Sequence, residues 1–255
     1  MTDTPPPPRR TRLTFHGPLS EARADRIVRR LTRTGPATVL DIGCGWGELT
    51  LRILGTEAGA STTGVGIDID ADDLARGRRN AEARGLADRM EFVRESAVGT
   101  TRGPADLVLC LGASQALSDA APPLHLTVAL GELRRLVAPG GRVLLGEGFW
   151  QRTPTEAELS RMWPGAHAGE HPDLAGLVDA AVAAGFRPEW IETADEDEWD
   201  EFESAYQADA EEWLAAHSGH PLAAETRERL DRHRASRLAY RGVLGLAYLT
   251  LIPVA

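Results

Sequence analysis

A doubly wound α/β sheet, mostly parallel and covered by helices on both faces, is the fold class the sequence predicts, and three observations predict it. Apolar runs of strand length alternate with longer amphipathic segments along residues 37–146. The first run, Val39-Leu40-Asp41-Ile42, passes directly into alternate glycines at Gly43, Gly45 and Gly47 and then into a helical pattern. The second run ends in a carboxylate, Gly64-Val65-Gly66-Ile67-Asp68. Strands separated by helices are joined by right-handed crossovers, which leave them parallel with both faces buried. Ligands of such sheets lie beyond the carboxyl ends of the strands, where Gly43, Asp68, Ser96 and Gly112 converge.

The elements follow in order. Residues 1–18 carry Pro5 to Pro8 and then Arg9 and Arg10, lack the apolar stretch of a targeting peptide, and read as a flexible tail. A helix over 19–33 has Ser20 as its cap, Ala24, Ile27, Val28 and Leu31 on one face, and Gly35-Pro36 as its stop. Then come a strand over 37–42, a helix over 47–58, a strand over 62–69, a helix over 71–84 ended by Gly85, strands over 90–95 and 105–111, a helix over 124–137 and a strand over 141–146. Further on, 195–203 holds seven carboxylates, yet Trp199, Phe202, Tyr206 and Trp213 recur at spacings of three, four and seven and form one aromatic stripe. Arg227, Arg229, Arg232, Arg234 and Arg237 mark a second helix able to neutralise that acid.

Glycine spacing selects the ligand. The dinucleotide fingerprint G-x-G-x-x-G, counted from Gly43, needs a glycine where this chain has Glu48. The pattern present, Asp41-x-Gly43-x-Gly45-x-Gly47, resembles the first motif of class I S-adenosylmethionine (SAM)-dependent methyltransferases. The resemblance covers roughly residues 19–149 and resumes at the end of the chain. It implies a Rossmann-like doubly wound seven-stranded sheet whose sixth strand contains Phe186 and Ile191 and whose last strand, 244–252, is antiparallel. A methyltransferase domain over 19–255 with a helical cap insertion over 195–240 is the corresponding expectation. Further implied is SAM as cofactor: Asp41, Gly43, Cys44 and Gly45 at its methionine end, Asp68 and Ile69 at the ribose, Ser96 and Ala97 beside the adenine, and Leu111 and Gly112 after the fourth strand. Ser96 departs from the acidic residue usual in relatives.

For the methyl acceptor, the segment after the fourth strand reads Leu111-Gly112-Ala113-Ser114-Gln115-Ala116. Nucleobase amine methyltransferases place Asn/Asp-Pro-Pro-aromatic there, and the group this chain most resembles tends to place Gly-x-x-His-Ala. Gln115 stands for that histidine and orients an acceptor without taking its proton. Glu147, between Gly146 and Gly148, is the second catalytic candidate, and His16 is a residue able to fold over the cofactor.

Composition narrows the reading. The net charge of −10 disfavours nucleic acid as a partner, and the chain has no lysine, which excludes Schiff-base chemistry and the Walker lysine. With only Cys44 and Cys110, no disulfide framework forms and a cytoplasmic location is expected. No apolar run spans a bilayer, and the histidines lack metal-ligand spacing, so neither a membrane nor a metal is expected. The expected protein is a SAM-dependent methyltransferase acting on a small molecule by in-line displacement. A SAM-binding protein without methyl transfer and an NAD-dependent oxidoreductase are the alternatives. The sequence leaves the oligomeric state open.

Overall fold

The computed structural model describes residues 6–254. In chain order the elements are α1 (Glu21–Thr32), β1 (Thr38–Ile42), α2 (Glu48–Leu54), β2 (Thr63–Asp68), α3 (Ala71–Ala83), β3 (Met90–Arg94), β4 (Ala105–Leu111), a 3-10 turn (Ser114–Leu117), α4 (Leu124–Leu136), β5 (Val137–Trp150), α5 (Glu156–Leu159), α6 (Leu174–Ala183), β6 (Phe186–Thr193), α7 (Glu196–Ala216), α8 (Ala223–Tyr240) and β7 (Leu244–Pro253). The seven strands form one sheet in the order β3-β2-β1-β4-β5-β7-β6. β7 runs antiparallel to both neighbours and every other pairing is parallel. This is the expected Rossmann-like sheet with its antiparallel last strand and a helical insertion before it.

Local chemistry sets the boundaries. The Ser20 hydroxyl accepts from the Arg23 N–H to start α1, Asp70 caps α3, and Asp195 with Glu198 forms a reciprocal capping box at α7. The central strands are buried on both faces. One layer packs Ile27 and Leu31 of α1, Leu51 and Leu54 of α2 and Leu74 of α3 against Val39 and Leu109, joined by Trp199 and Tyr240 of the insertion. The other packs Leu130 and Leu133 of α4 and Leu177 of α6 against Leu40, Val108 and Leu145.

Three features depart from the expected elements. Helix α2 stops at Leu54, four residues early, where the Gly55 N–H closes onto Leu51 O. β5 runs to Trp150 because β7 pairs with it from Val143 to Trp150, a long-range contact invisible to local periodicity. Residues 1–5 of the expected tail lie outside the described residues, but from Arg10 onward the segment is anchored. Leu13 and Phe15 are buried, and Arg76 donates to the carbonyls of Arg10 and Leu13 at 3.0 and 2.6 Å.

Candidate active site

The glycine loop leaves β1 with Gly43 and Gly45 in the left-handed region, at φ +61° and +52°. A Cβ on Gly43 would lie 2.5 Å from Ala113 Cβ, so this glycine seats the loop against the chain leaving β4. A Cβ on Gly45 would meet only His16 Nδ1, at 3.5 Å. The loop amides are not bare, as glycine content alone suggests: Cys44 N–H donates to Ile67 O (3.0 Å), Gly45 N–H to Asp68 Oδ2 (2.8 Å) and Gly47 N–H to Cys44 O (2.8 Å). These three donors are satisfied within the protein and are not free for a ligand. The Cys44 side chain turns under the loop against Gly66, and burial raises its thiol pKa well above the ordinary value.

Beneath the loop, Asp41 is buried and accepts from Thr50 Oγ1 at 2.6 Å. Burial lifts its pKa to about 7, with the Thr50 bond opposing and the Asp68 charge assisting. At the tip of β2, Asp68 accepts from the Gly45 and Asp70 N–H groups, one on each oxygen, which fixes the carboxylate in place. Each carboxylate oxygen keeps a further lone pair for a ligand hydroxyl. Beside it Ile69 is 72% exposed, and beyond the neighbouring β3 Val98 is 42% exposed, so two apolar side chains stand uncovered at adjacent strand ends. Ser96 is exposed, with its Oγ accepting from Val98 N–H, while Ala97 is buried.

A cavity opens above the loop. Its wall comprises Gly43 and Cys44 with Asp41 below, Leu111 and Gly112 after β4, residues 15–19, Trp46 and Leu49, Phe202 of α7, and Leu246 and Tyr248 of β7. Residues 10–18 cross its rim and are tied on both sides. Arg10 bonds Asp73 of α3 at 3.1 Å, Thr11 donates twice to Asp209 of α7, Trp46 Nε1 donates to Thr14 O, and Tyr248 OH donates to Pro18 O. His16 stacks on Trp46, ring centroids 5.1 Å apart. Of the aromatic stripe, only Phe202 reaches the cavity. Trp199 joins the main core and Trp213 closes a small core between α7 and α8.

Both catalytic candidates lie off this cavity. Gln115 is exposed, because the 3-10 turn carries its side chain outward to donate to Gly112 O at 3.2 Å. Glu147 is buried on the opposite face of the sheet, the side of Leu145 and Phe149, since strand side chains alternate. Burial raises its pKa, opposed by Ser114 and the Gly148 N–H. Neither belongs to the cavity wall, although Gln115 bonds Gly112, which does. Sequence reasoning passed over Phe15, Trp46, Leu246 and Tyr248. The two β7 residues carried a usable signal, because positions two apart on a strand share a face.

Glu48 decides between cofactors. It opens α2, where a dinucleotide pyrophosphate would rest, and its buried carboxylate pairs with Arg52 and Arg84 at 2.8 and 2.7 Å. The third glycine that a dinucleotide fingerprint places here is replaced by a buried, arginine-paired carboxylate. Comparison with known proteins agrees. A methyltransferase domain family model matches residues 39–141. The SAM-dependent methyltransferase of Geobacter sulfurreducens, crystallised with S-adenosylhomocysteine (SAH), superimposes with a TM-score of 0.81 at 26% identity, over 96% of this chain and 98% of that one. This chain is a class I SAM-dependent methyltransferase. Similar too are a SAH-bound methyltransferase of Thiobacillus denitrificans (TM-score 0.80, 25% identity, 94% of each chain) and the uncharacterized protein YjhP of Escherichia coli. The latter is 29% identical over 85% of this chain and 84% of its own, and its crystal structure matches with a TM-score of 0.80. The cofactor of the methyltransferase is therefore SAM, and no helix among the described residues is long and apolar enough to cross a membrane.

Proposed function

We propose that this methyltransferase transfers its methyl group to a small molecule held in the cavity over the glycine loop. The observation carrying the reading is the chemistry of the wall. Phe15, Leu19, Leu49, Leu111, Phe202 and Leu246 dominate it, Asp41 and Glu48 supply its carboxylates, and among the described residues no arginine lines it. Such a wall suits an apolar, uncharged body, and gives a phosphorylated acceptor or a nucleic acid no counter-charge.

The site fits SAM. Carbonyls of the glycine loop and the Asp41 carboxyl suit the ammonium of the methionine end, Asp68 suits the two ribose hydroxyls, and Ile69 and Val98 provide apolar surface for the adenine. Bound there, SAM supplies a methyl group already activated by its sulfonium charge. The chain's own work is to align and to exclude water: Phe15, Pro18 and Phe202 cover the cavity while the glycine loop and β4 fix the donor side. In-line displacement then needs only an acceptor atom held opposite the sulfur, which is consistent with Gln115 and Glu147 standing away from the cavity. The test is transfer of labelled methyl from SAM into extracts of the source organism, followed by dialysis. Label is expected in the diffusible fraction, and label held in protein or nucleic acid would overturn the small-molecule reading.

A further inference from the structure

The methionine end of SAM carries a carboxylate as well as an ammonium, and the surroundings of the glycine loop are unfavourable to it. Asp68, Asp70 and Asp73 all act on this region and Asp41 lies beneath the loop, with the Arg10 guanidinium as the opposing charge, itself paired to Asp70 and Asp73. A bound carboxylate therefore requires hydrogen-bond donors. Tracing the side-chain donors of the cavity wall leaves one. Trp46 Nε1 is spent on Thr14 O, Tyr248 OH on Pro18 O, and the Cys44 thiol points to Gly45 O. His16 is the remaining donor side chain on the wall.

The tautomer of His16 follows from its partner. Arg10 Nη1 lies 3.0 Å from His16 Nε2, and a guanidinium only donates, so Nε2 accepts and the ring proton of neutral His16 resides on Nδ1. Among the described residues Nδ1 makes no hydrogen bond. Its nearest carboxylate oxygen, on Asp73, is 3.9 Å away. It faces the open side of Gly45, 3.5 Å from where a Cβ would stand. The ring is held there by stacking on Trp46, which the Arg76 guanidinium also contacts at 3.9 Å, and 41% of the His16 side chain stays exposed. Arg10 is itself fixed by Asp73 and Asp70 at 3.1 and 3.6 Å.

We propose that His16 is a cofactor-binding residue whose Nδ1–H donates to the methionine carboxylate of SAM, with Arg10 behind it fixing the tautomer. The assignment rests on the cofactor reading above and adds a recognition element from the segment before α1, more than twenty residues ahead of the glycine motif. A neutral donor suits the position because SAM and the product SAH both bear this carboxylate, so His16 holds the cofactor before and after transfer without drawing on its reactive end.

The experiment compares two ligands on three proteins by calorimetry: SAH, and its decarboxylated counterpart S-adenosylthiopropylamine, which keeps the adenosine, sulfur and amine. His16→Phe preserves the stack on Trp46 and removes the donor, and His16→Asn restores an N–H donor without the ring. Affinity of His16→Phe for SAH is expected to fall roughly tenfold, the value of one hydrogen bond to a charged group, with affinity for the decarboxylated ligand unchanged. His16→Asn should recover much of the loss. Equal weakening of both ligands would make His16 a packing residue of the segment, and undiminished SAH affinity would remove it from the site; either overturns the proposal. Failure of the wild-type protein to bind SAH would instead strike the cofactor reading itself.

Discussion

Asp41 is a carboxyl removed from water directly under the glycine loop, and its raised pKa makes it a reporter of the site. Its ordinary value of 3.8 rises to about 7 in the folded chain, chiefly through burial. Across that window the native state binds more protons than the unfolded state, so this residue lowers stability as pH increases from about 4 to 7, and the penalty persists above. Asp41→Asn keeps an oxygen to accept from Thr50 and cannot ionise. The melting temperature of the variant relative to wild type is expected to climb between pH 4 and pH 8. A difference that does not change with pH would show that Asp41 titrates as an ordinary carboxyl. The spacing Asp41-x-Gly43-x-Gly45 was legible because it is local: each residue's place follows from strand, turn and helix within one short segment. What each residue does there was less legible, since the partners of the loop amides, Ile67 O and Asp68, come from the next strand.

At the level of elements, the joint between α1 and α7 turns on one buried carboxylate. Glu198 completes the α7 capping box, accepts from the Ser20 N–H and hydroxyl, and holds Arg23 through both oxygens at 2.8–3.0 Å. Burial pushes its pKa up, but the Arg23 and Ser20 bonds outweigh burial and hold it below the ordinary value. Its stabilising contribution is therefore complete above the unfolded pKa of 4.5 and is lost as pH falls through the folded value. Glu198→Ala leaves Arg23 buried without its main partner, and removing one member of such a pair costs about 3–5 kcal/mol. Glu192 and Asp195, 3.6 and 3.9 Å from Arg23, should hold the loss near the lower bound. Chemical denaturation at neutral pH checks the value, and a loss within about 0.5 kcal/mol, the scale of a surface change, would show that the joint is not structural. In the sequence this glutamate was one of seven acids in a run. Only the fold distinguishes it from Asp197 or Glu201.

For the whole molecule, the alternation of strands and helices and the place of the cofactor loop followed from periodicity and glycine spacing, because each strand declares itself within a few residues, while the antiparallel last strand followed from the family resemblance. The acceptor side did not. Its wall joins Phe15, Trp46, Phe202 and Tyr248, residues that meet only when the segment before α1, the glycine loop, the insertion and the last strand have all docked. Gln115 and Glu147 lie outside the cavity wall for the related reason that a turn and a strand alternation, not proximity in sequence, decide which side of the sheet a side chain faces. The same long-range assembly gives a dynamic expectation. Residues 10–18 are pinned to α3 through Arg10 and Arg76, to the glycine loop through Trp46, and to α7 through Thr11 and Asp209, so they span the cavity between the cofactor half and the insertion. These ties lie at the edge of the structure and cross no sheet, which places them among contacts that open locally without global unfolding. A ligand touching both the glycine loop and His16 closes that opening by adding a bond on each side. Hydrogen exchange with saturating SAH should therefore slow in residues 10–18 and in the first turns of α7 around Phe202, while β6 and α6, remote from the cavity, exchange as before. Protection confined to the glycine loop, with residues 10–18 unchanged, would mean that the segment stays shut whether or not the cofactor is bound and takes no part in its capture.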